Sequence, residues 1–250
     1  MVWLQTNVLV AIFLIYCRIG ACLMIVPGFG SARIAAQIRL FIALAISLAL
    51  APLLLKQVMQ IIPDVSPASL LLLIASELLI GATIGFIGRA FLAALQTLGT
   101  FAAMSMSFSP MAGTPIEGGE PVPALVNLMT MTAVVLIFIS GLHWQMISGL
   151  IDSYQVVPPA MSFAVQDSLI QATDALKEAF ILALRISSPF IIYAVVVNLA
   201  LGLANKLTPQ IPIYFIAMPF VIAGGLFLVM FVFSEMIGIF IDQFSQVINR

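Results

Sequence analysis

The sequence predicts an all-α fold, a polytopic membrane helix bundle of about six apolar helical segments, and two observations carry that prediction. Of its 250 residues, 63% are hydrophobic and 8% are charged, against about 25% charged in an ordinary soluble domain. Four stretches, 90–116, 121–142, 186–205 and 207–234, hold no Lys, Arg, Asp or Glu, and about 20 apolar residues suffice for a helix to cross a bilayer.

The first segment, 5–27, is apolar past Arg18 as far as Phe29. It lacks the basic n-region and the A-x-A cleavage site of a signal peptide, so a retained first helix is expected. Its cysteines, Cys17 and Cys22, are five residues apart and so about 140° apart around a helix, which suits neither a disulfide nor a metal. The second segment, 38–55, is expected to close at Pro52, and Pro63 and Pro67 punctuate the gap that follows. In the third, 68–95, the run G-A-T-I-G-F-I-G sets Gly81, Gly85 and Gly88 along one face, the spacing that lets two helix backbones approach closely.

Residues 107–123, S-F-S-P-M-A-G-T-P-I-E-G-G-E-P-V-P, then interrupt the apolar chain with four prolines, three glycines and the carboxylates Glu117 and Glu120. Such a segment cannot cross lipid unaided, because proline lacks an N–H and extended backbone would strand its polar groups in hydrocarbon. Read from composition, it is either a plain connector or a gate. Met104, Met106, Met111, Met129 and Met131 surround it; flexible thioethers suit either a seal or ordinary core filling.

A fourth segment spans 122–141, and Pro158-Pro159 ends the region after it. Between 161 and 177, Leu169, Ile170, Thr173, Leu176 and Phe180 recur at helical spacing opposite Gln166, Asp167, Gln171, Asp174 and Lys177, an amphipathic lead-in at an interface. The fifth and sixth segments, 178–204 and 211–242, complete the bundle, and Gly224-Gly225 marks a kink or a close crossing.

Five ionisable residues fall inside apolar segments: Arg18, Glu77, Arg89, Arg185 and Glu235. A charge in hydrocarbon is expensive and is kept for a reason. Glu77 with Arg18 or Arg185 forms either an ion relay or a buried structural pair. Orientation is nearly silent. With the N-terminus outside, Arg33, Arg89 and Lys206 lie inside against Lys56, Lys177 and Arg250 outside, and Arg39 tips the balance only slightly.

A net charge of −1 leaves no basic footprint for nucleic acid. His143 is the single histidine, and H-E-x-x-H, G-x-S-x-G and C-x-x-C do not occur, so neither enzymatic chemistry nor a cofactor or metal is expected. Next to Trp144, His143 reads as part of an interfacial aromatic anchor. One domain, 1–250, is expected, without repeats of 20–50 residues.

Taken in order, these residues resemble the FliR family of the flagellar type III export gate. The strongest stretch is N-L-A-L-G-L-A-N-K-L-T-P-Q-I-P-I-Y at 198–214, followed by Met218-Pro219. Supporting it are Arg18, P-G-F-G at 27–30, Arg39, Pro52, Glu77 with Gly81 and Gly85, M-S-M-S-F-S, Gly141 with His143, and Ser153 with Pro158. The resemblance implies a noncatalytic component that assembles with FliP, FliQ and FlhB homologues. Unfolded flagellar subunits leave the cytoplasm through that assembly, which sits in the bacterial inner membrane at the flagellar basal body in contact with lipid. It also implies that hydropathy spans need not all be true spans.

By position, residues 106–121 match the family's plug, with Met106, Phe108, Pro110, Met111, Gly113, Pro115, Glu117, Gly118, Gly119 and Pro121 as the loop residues. Thr114 stands where members often carry Asp. Two other readings remain: a small-solute secondary transporter with Glu77, Arg18 and Arg185 about a central site, and a purely structural scaffold. Transporters usually show inverted repeats or paired broken helices, and neither is evident. The injectisome counterpart of the family shares the fold.

Overall fold

Long apolar runs become long helices. A computed structural model describes residues 6–31, 34–60, 66–107, 112–113, 122–159 and 165–248. Its helices are α1 (Thr6–Ile25), α2 (Ala36–Met59), α3 (Pro67–Ser105), α4 (Ala124–Ile139), α5 (Leu142–Val156), α6 (Val165–Leu207) and α7 (Ile213–Ile248). Two short strands, β1 (Ala112–Gly113) and β2 (Val122–Pro123), pair antiparallel between α3 and α4, with Ala112 opposite Pro123 and Gly113 opposite Val122. By length and composition five helices are able to cross a membrane, or six spans if α4 and α5 count as one bent span.

Several boundaries differ from expectation, each for a local reason. Helix α2 does not close at Pro52 but continues to Met59 with that proline inside it; one missing N–H removes a single bond from a helix otherwise held on both sides. Helix α3 begins at Pro67, where the missing N–H would be unpaired anyway, with the Ser66 hydroxyl accepting from the Ser69 N–H at 3.3 Å. It runs on to Ser105 instead of ending at 95, and its weakest former there, Gly99, lies against Val126 and Met129 of α4. Ser107 then turns into the left-handed region with φ 55°.

The fourth segment falls within two residues of expectation at each end, and a second helix follows it at once. Gly141 adopts φ 73°, and α5 leaves the direction of α4 by 68°. That positive φ suits glycine, which has no Cβ to clash with the following carbonyl. Helix α5 carries His143, Gln145, Asp152 and Ser153, too polar a run to be read as apolar. In α6 the amphipathic lead-in and the apolar span form one helix of 43 residues, about 64 Å long at 1.5 Å per residue. Pro189 lies inside it and cannot bond to the Arg185 carbonyl. The Ser188 hydroxyl donates to that same carbonyl at 2.8 Å.

Helix α3 organises the packing. Its first half lies on α1, which also packs on α2, and its second half lies on α6 and α4. One core joins Phe91, Leu95 and Leu98 of α3 and Met106 at its C-cap to Met129 of α4, Phe190 of α6 and Phe240 and Phe244 of α7. A second joins Leu14, Ile15 and Ile19 of α1 to Leu54 of α2, Leu73 of α3 and Tyr154 of α5. On α6 the buried stripe is Ala175, Ala179, Leu182, Ile186 and Phe190, while Leu169, Ile170, Leu176 and Phe180 face outward. Small alanines let α6 sit close to α3. Beyond Phe190, α6 and the first half of α7 expose Val195, Leu199, Leu203, Phe215, Phe220 and Met230, a hairpin apolar on its outer surfaces.

Candidate functional site

The centre of the structure's polar chemistry is Arg18, whose side chain is fully buried on α1. Three turns of α3 prepare its position. A Cβ on Gly81 would stand 2.1 Å from the Arg18 carbonyl oxygen, one on Gly85 would stand 2.7 Å from the Cys22 carbonyl oxygen, and one on Gly88 would meet Pro27 Cδ at 3.1 Å. The matched order of these contacts means that α1 and α3 run parallel, with bare glycine backbone against bare carbonyls. Glu77, one turn before Gly81, lies on the same face. Side chains on a helix lean toward its N-terminus, so Arg18 leans back one turn and meets Glu77.

The guanidinium is nearly saturated. Its Nε donates to Glu77 Oε2 at 2.6 Å and Nη2 donates to Glu77 Oε1 at 2.9 Å, a bidentate pair buried on both sides. Nη2 also donates to the Val157 carbonyl at 3.1 Å, and Nη1 to the Ser153 hydroxyl at 3.1 Å. The Ser153 hydroxyl in turn donates to the Leu150 carbonyl at 2.6 Å. Tyr154 stacks its ring 3.9 Å from the Arg18 carbon that bears the three nitrogens, a cation–π contact strengthened by exclusion of water. One side chain thus ties α1, α3 and the end of α5 together. Removing a single partner from such a buried pair costs about 3–5 kcal/mol, because the other charge is stranded.

The other ionisable residues lie apart from this node. Arg185 and Glu235 are exposed on α6 and α7. Arg185 lines an open cavity of about 250 Å³ between those helices with Glu178, Gln243 and Gln246. Arg89 is half-buried on α3. His143 stacks on Phe138 with centroids 5.3 Å apart, Phe138 meets Phe29 of the P-G-F-G turn edge-on at 5.4 Å, and Trp144 stands exposed beside them. Among the described residues, no three His, Cys, Asp or Glu side chains gather as a metal would need.

Of the loop residues singled out from the sequence, Phe108, Pro110, Met111, Pro115, Glu117, Gly118, Gly119 and Pro121 lie outside the described residues, and Gly113 is described by its backbone alone. Met106 and Met129 are buried, whereas Met104 and Met131 are exposed. Met106 rests on Gly225 of α7, where an added Cβ would stand 2.1 Å from Met106 Cγ. Tyr154, the Val157 carbonyl and the Met106 contact escaped sequence reasoning as site features. Only the Gly224-Gly225 pair hinted at the last of them.

Comparison with known proteins gives a consistent result. The family model described as bacterial export proteins, family 1, matches residues 9–247. The chain is 30% identical over 241 residues to the flagellar biosynthetic protein FliR of Caulobacter vibrioides, covering 94% of this chain and 93% of that one. It is 26% identical to the Escherichia coli protein of the same name, covering 93% and 87%. It is also 27% identical over 150 residues to the secretion system apparatus protein SsaT of Salmonella typhimurium, covering 59% of this chain and 57% of that one.

Proposed function

Because the chain belongs to the bacterial export proteins, family 1, we propose that it is a core component of the flagellar type III export gate. With FliP and FliQ homologues and an attached FlhB homologue, it forms the inner-membrane channel through which unfolded flagellar subunits leave the cytoplasm. The observation that carries this reading is the match to FliR proteins along nearly the whole length of both chains. The match to the secretion system apparatus protein SsaT covers a smaller share, which favours the flagellar assignment within the family.

The geometry supports a role inside an assembly. Helix α3 is 39 residues long and α6 is 43, about 58 and 64 Å, roughly twice the hydrocarbon thickness. Their ends therefore extend past the lipid. The outer α6–α7 hairpin exposes large apolar residues on surfaces that a neighbouring subunit would cover. The Arg18–Glu77 node braces the other half of α3, where both side chains are fully buried and the guanidinium also holds Ser153 and the Val157 carbonyl, which supports a structural pair over an ion relay.

Residues 106–121 act as the plug that closes the channel at rest. Their glycines and prolines permit rearrangement without unravelling a helix, and the β1–β2 pair ties residues 112–113 within the loop to residues 122–123 just past its end. The core assignment is tested by isolating the tagged chain from membranes. Stable capture of the FliP and FliQ homologues is expected, whereas a monomer that exchanges a small solute in liposomes would favour a transporter. Deleting residues 112–119 is expected to raise ion conductance through the assembled gate; unchanged conductance would sink the plug reading.

A further inference from the structure

The contact between α3 and α7 has two unlike ends. At one, Phe91 of α3 meets Phe244 edge-on with centroids 6.3 Å apart, and Phe244 stacks on Phe240 at 5.8 Å. All three rings are buried, and aromatic packing of this kind is stiff. At the other end the contact narrows to Met106 on Gly225. The Met106 side chain is fully buried, and a Cβ at Gly225 would lie 2.1 Å from its Cγ, 2.4 Å from its Sδ and 2.6 Å from its Cβ. No other residue type fits under that methionine.

Several features single out this end. Met106 caps α3, its N–H donating to the Ala102 carbonyl at 3.2 Å, and Ser107 follows at φ 55°, a left-handed conformation that costs energy for any residue with a Cβ. Gly225 sits beside Gly224 and six residues past Pro219, inside the most lightly packed half of α7. Gly224 in turn lies under Tyr193 of α6, whose hydroxyl donates to the Val221 carbonyl at 2.6 Å. A shift of the α6–α7 hairpin therefore reaches Met106 directly. Methionine, with three rotatable bonds and no branch, leaves and re-enters a seat more readily than a branched side chain.

We propose that Met106 seated on Gly225 is a latch that holds α7 against the end of α3, and that this seat empties when the gate conducts. The inference rests on the export-gate reading. It makes Met106 a positioning residue and the Phe91–Phe240–Phe244 cluster the pivot about which α7 swings.

The test locks the seat. Cells carrying Met106→Cys with Gly225→Cys are treated with copper phenanthroline, then with dithiothreitol, and flagellar protein in the medium is measured at each stage. Opposed Cβ atoms this close need to part only slightly to reach disulfide geometry. The latch predicts that the pair cross-links, that export falls to the level of cells lacking the chain, and that reduction restores it. A cross-linked chain that exports as well as the reduced one overturns the proposal, as does failure to cross-link. If cells lacking the chain export normally, the export-gate reading itself fails, whatever the cysteines do. Should the double variant not accumulate, Gly225→Ala serves instead. Its Cβ expels Met106, so ion leakage through the assembled gate should rise above that of Gly238→Ala, where nothing lies within 4 Å. Equal leakage in the two overturns the latch.

Discussion

Replacing Gly81 by alanine should destabilise the isolated chain even though alanine is the better helix former. The added Cβ would stand 2.1 Å from the Arg18 carbonyl oxygen and 2.9 Å from its carbon, where ordinary contact begins at 3.4 Å. Backbone atoms cannot rotate away, so α1 and α3 must part by about 1 Å or more. That movement stretches the Arg18–Glu77 bonds from 2.6 and 2.9 Å past the limit of useful hydrogen-bond distance, about 3.2 Å. Loss of a buried pair costs about 3–5 kcal/mol, offset by a propensity gain of about 1 kcal/mol, leaving a net loss of about 2–4 kcal/mol. The assay is unfolding of the purified chain in detergent against increasing SDS. Gly202→Ala and Gly238→Ala are the controls, since a Cβ there meets nothing within 4 Å. They should be neutral or stabilising. The reasoning is refuted if Gly81→Ala lies within about 0.5 kcal/mol of them, the range of an unremarkable surface substitution.

Glu77→Gln strands the Arg18 charge and should cost about 3–5 kcal/mol in the same assay, whereas Arg18→Met combined with Glu77→Leu should recover most of that loss; additive losses would contradict the pairing. Ser188→Ala removes the donor to the carbonyl that Pro189 leaves free and should cost about 1 kcal/mol, against no change for Thr97→Ala, whose hydroxyl donates to the Ala93 carbonyl that the helix ladder already satisfies. Gly28→Ala forces a side chain to φ 85° and places it 2.8 Å from Phe138 Cε2, costing about 1–2 kcal/mol for the backbone alone. Because Phe138 stacks on His143 and His143 touches Trp144, the same change should shift Trp144 emission in a Trp3→Phe background.

The helices that apolar length defines were legible because hydrocarbon burial leaves so few alternatives for the backbone. What eluded the sequence were the places where local signals conflict. Pro52 reads as a stop, yet α2 absorbs it. Residues 142–156 look too polar for the bundle, yet their apolar side, Leu142, Leu150 and Tyr154, is buried. In its first turns α6 buries the small Ala175 and Ala179 while Leu169, Ile170, Leu176 and Phe180 face outward, the reverse of the habit in water and reasonable in a chain surrounded by lipid and partners. For the site, glycine spacing pointed to a close approach but not to its partner. Arg18 and Arg185 were equal candidates for Glu77 until the parallel α1–α3 contact brought Arg18 within 2.6 Å. The residues closing that node, Ser153, Tyr154 and the Val157 carbonyl, come from α5 and its end more than 130 positions away, and no local pattern connects them.

The central claim is that export passes through an assembly that needs this chain. It is tested most directly by removing the gene and measuring flagellar protein in the culture medium. The account predicts that secretion ceases, with the unexported subunits retained in the cell, and that a plasmid copy of the chain restores it. Undiminished secretion in cells without the chain would contradict the account.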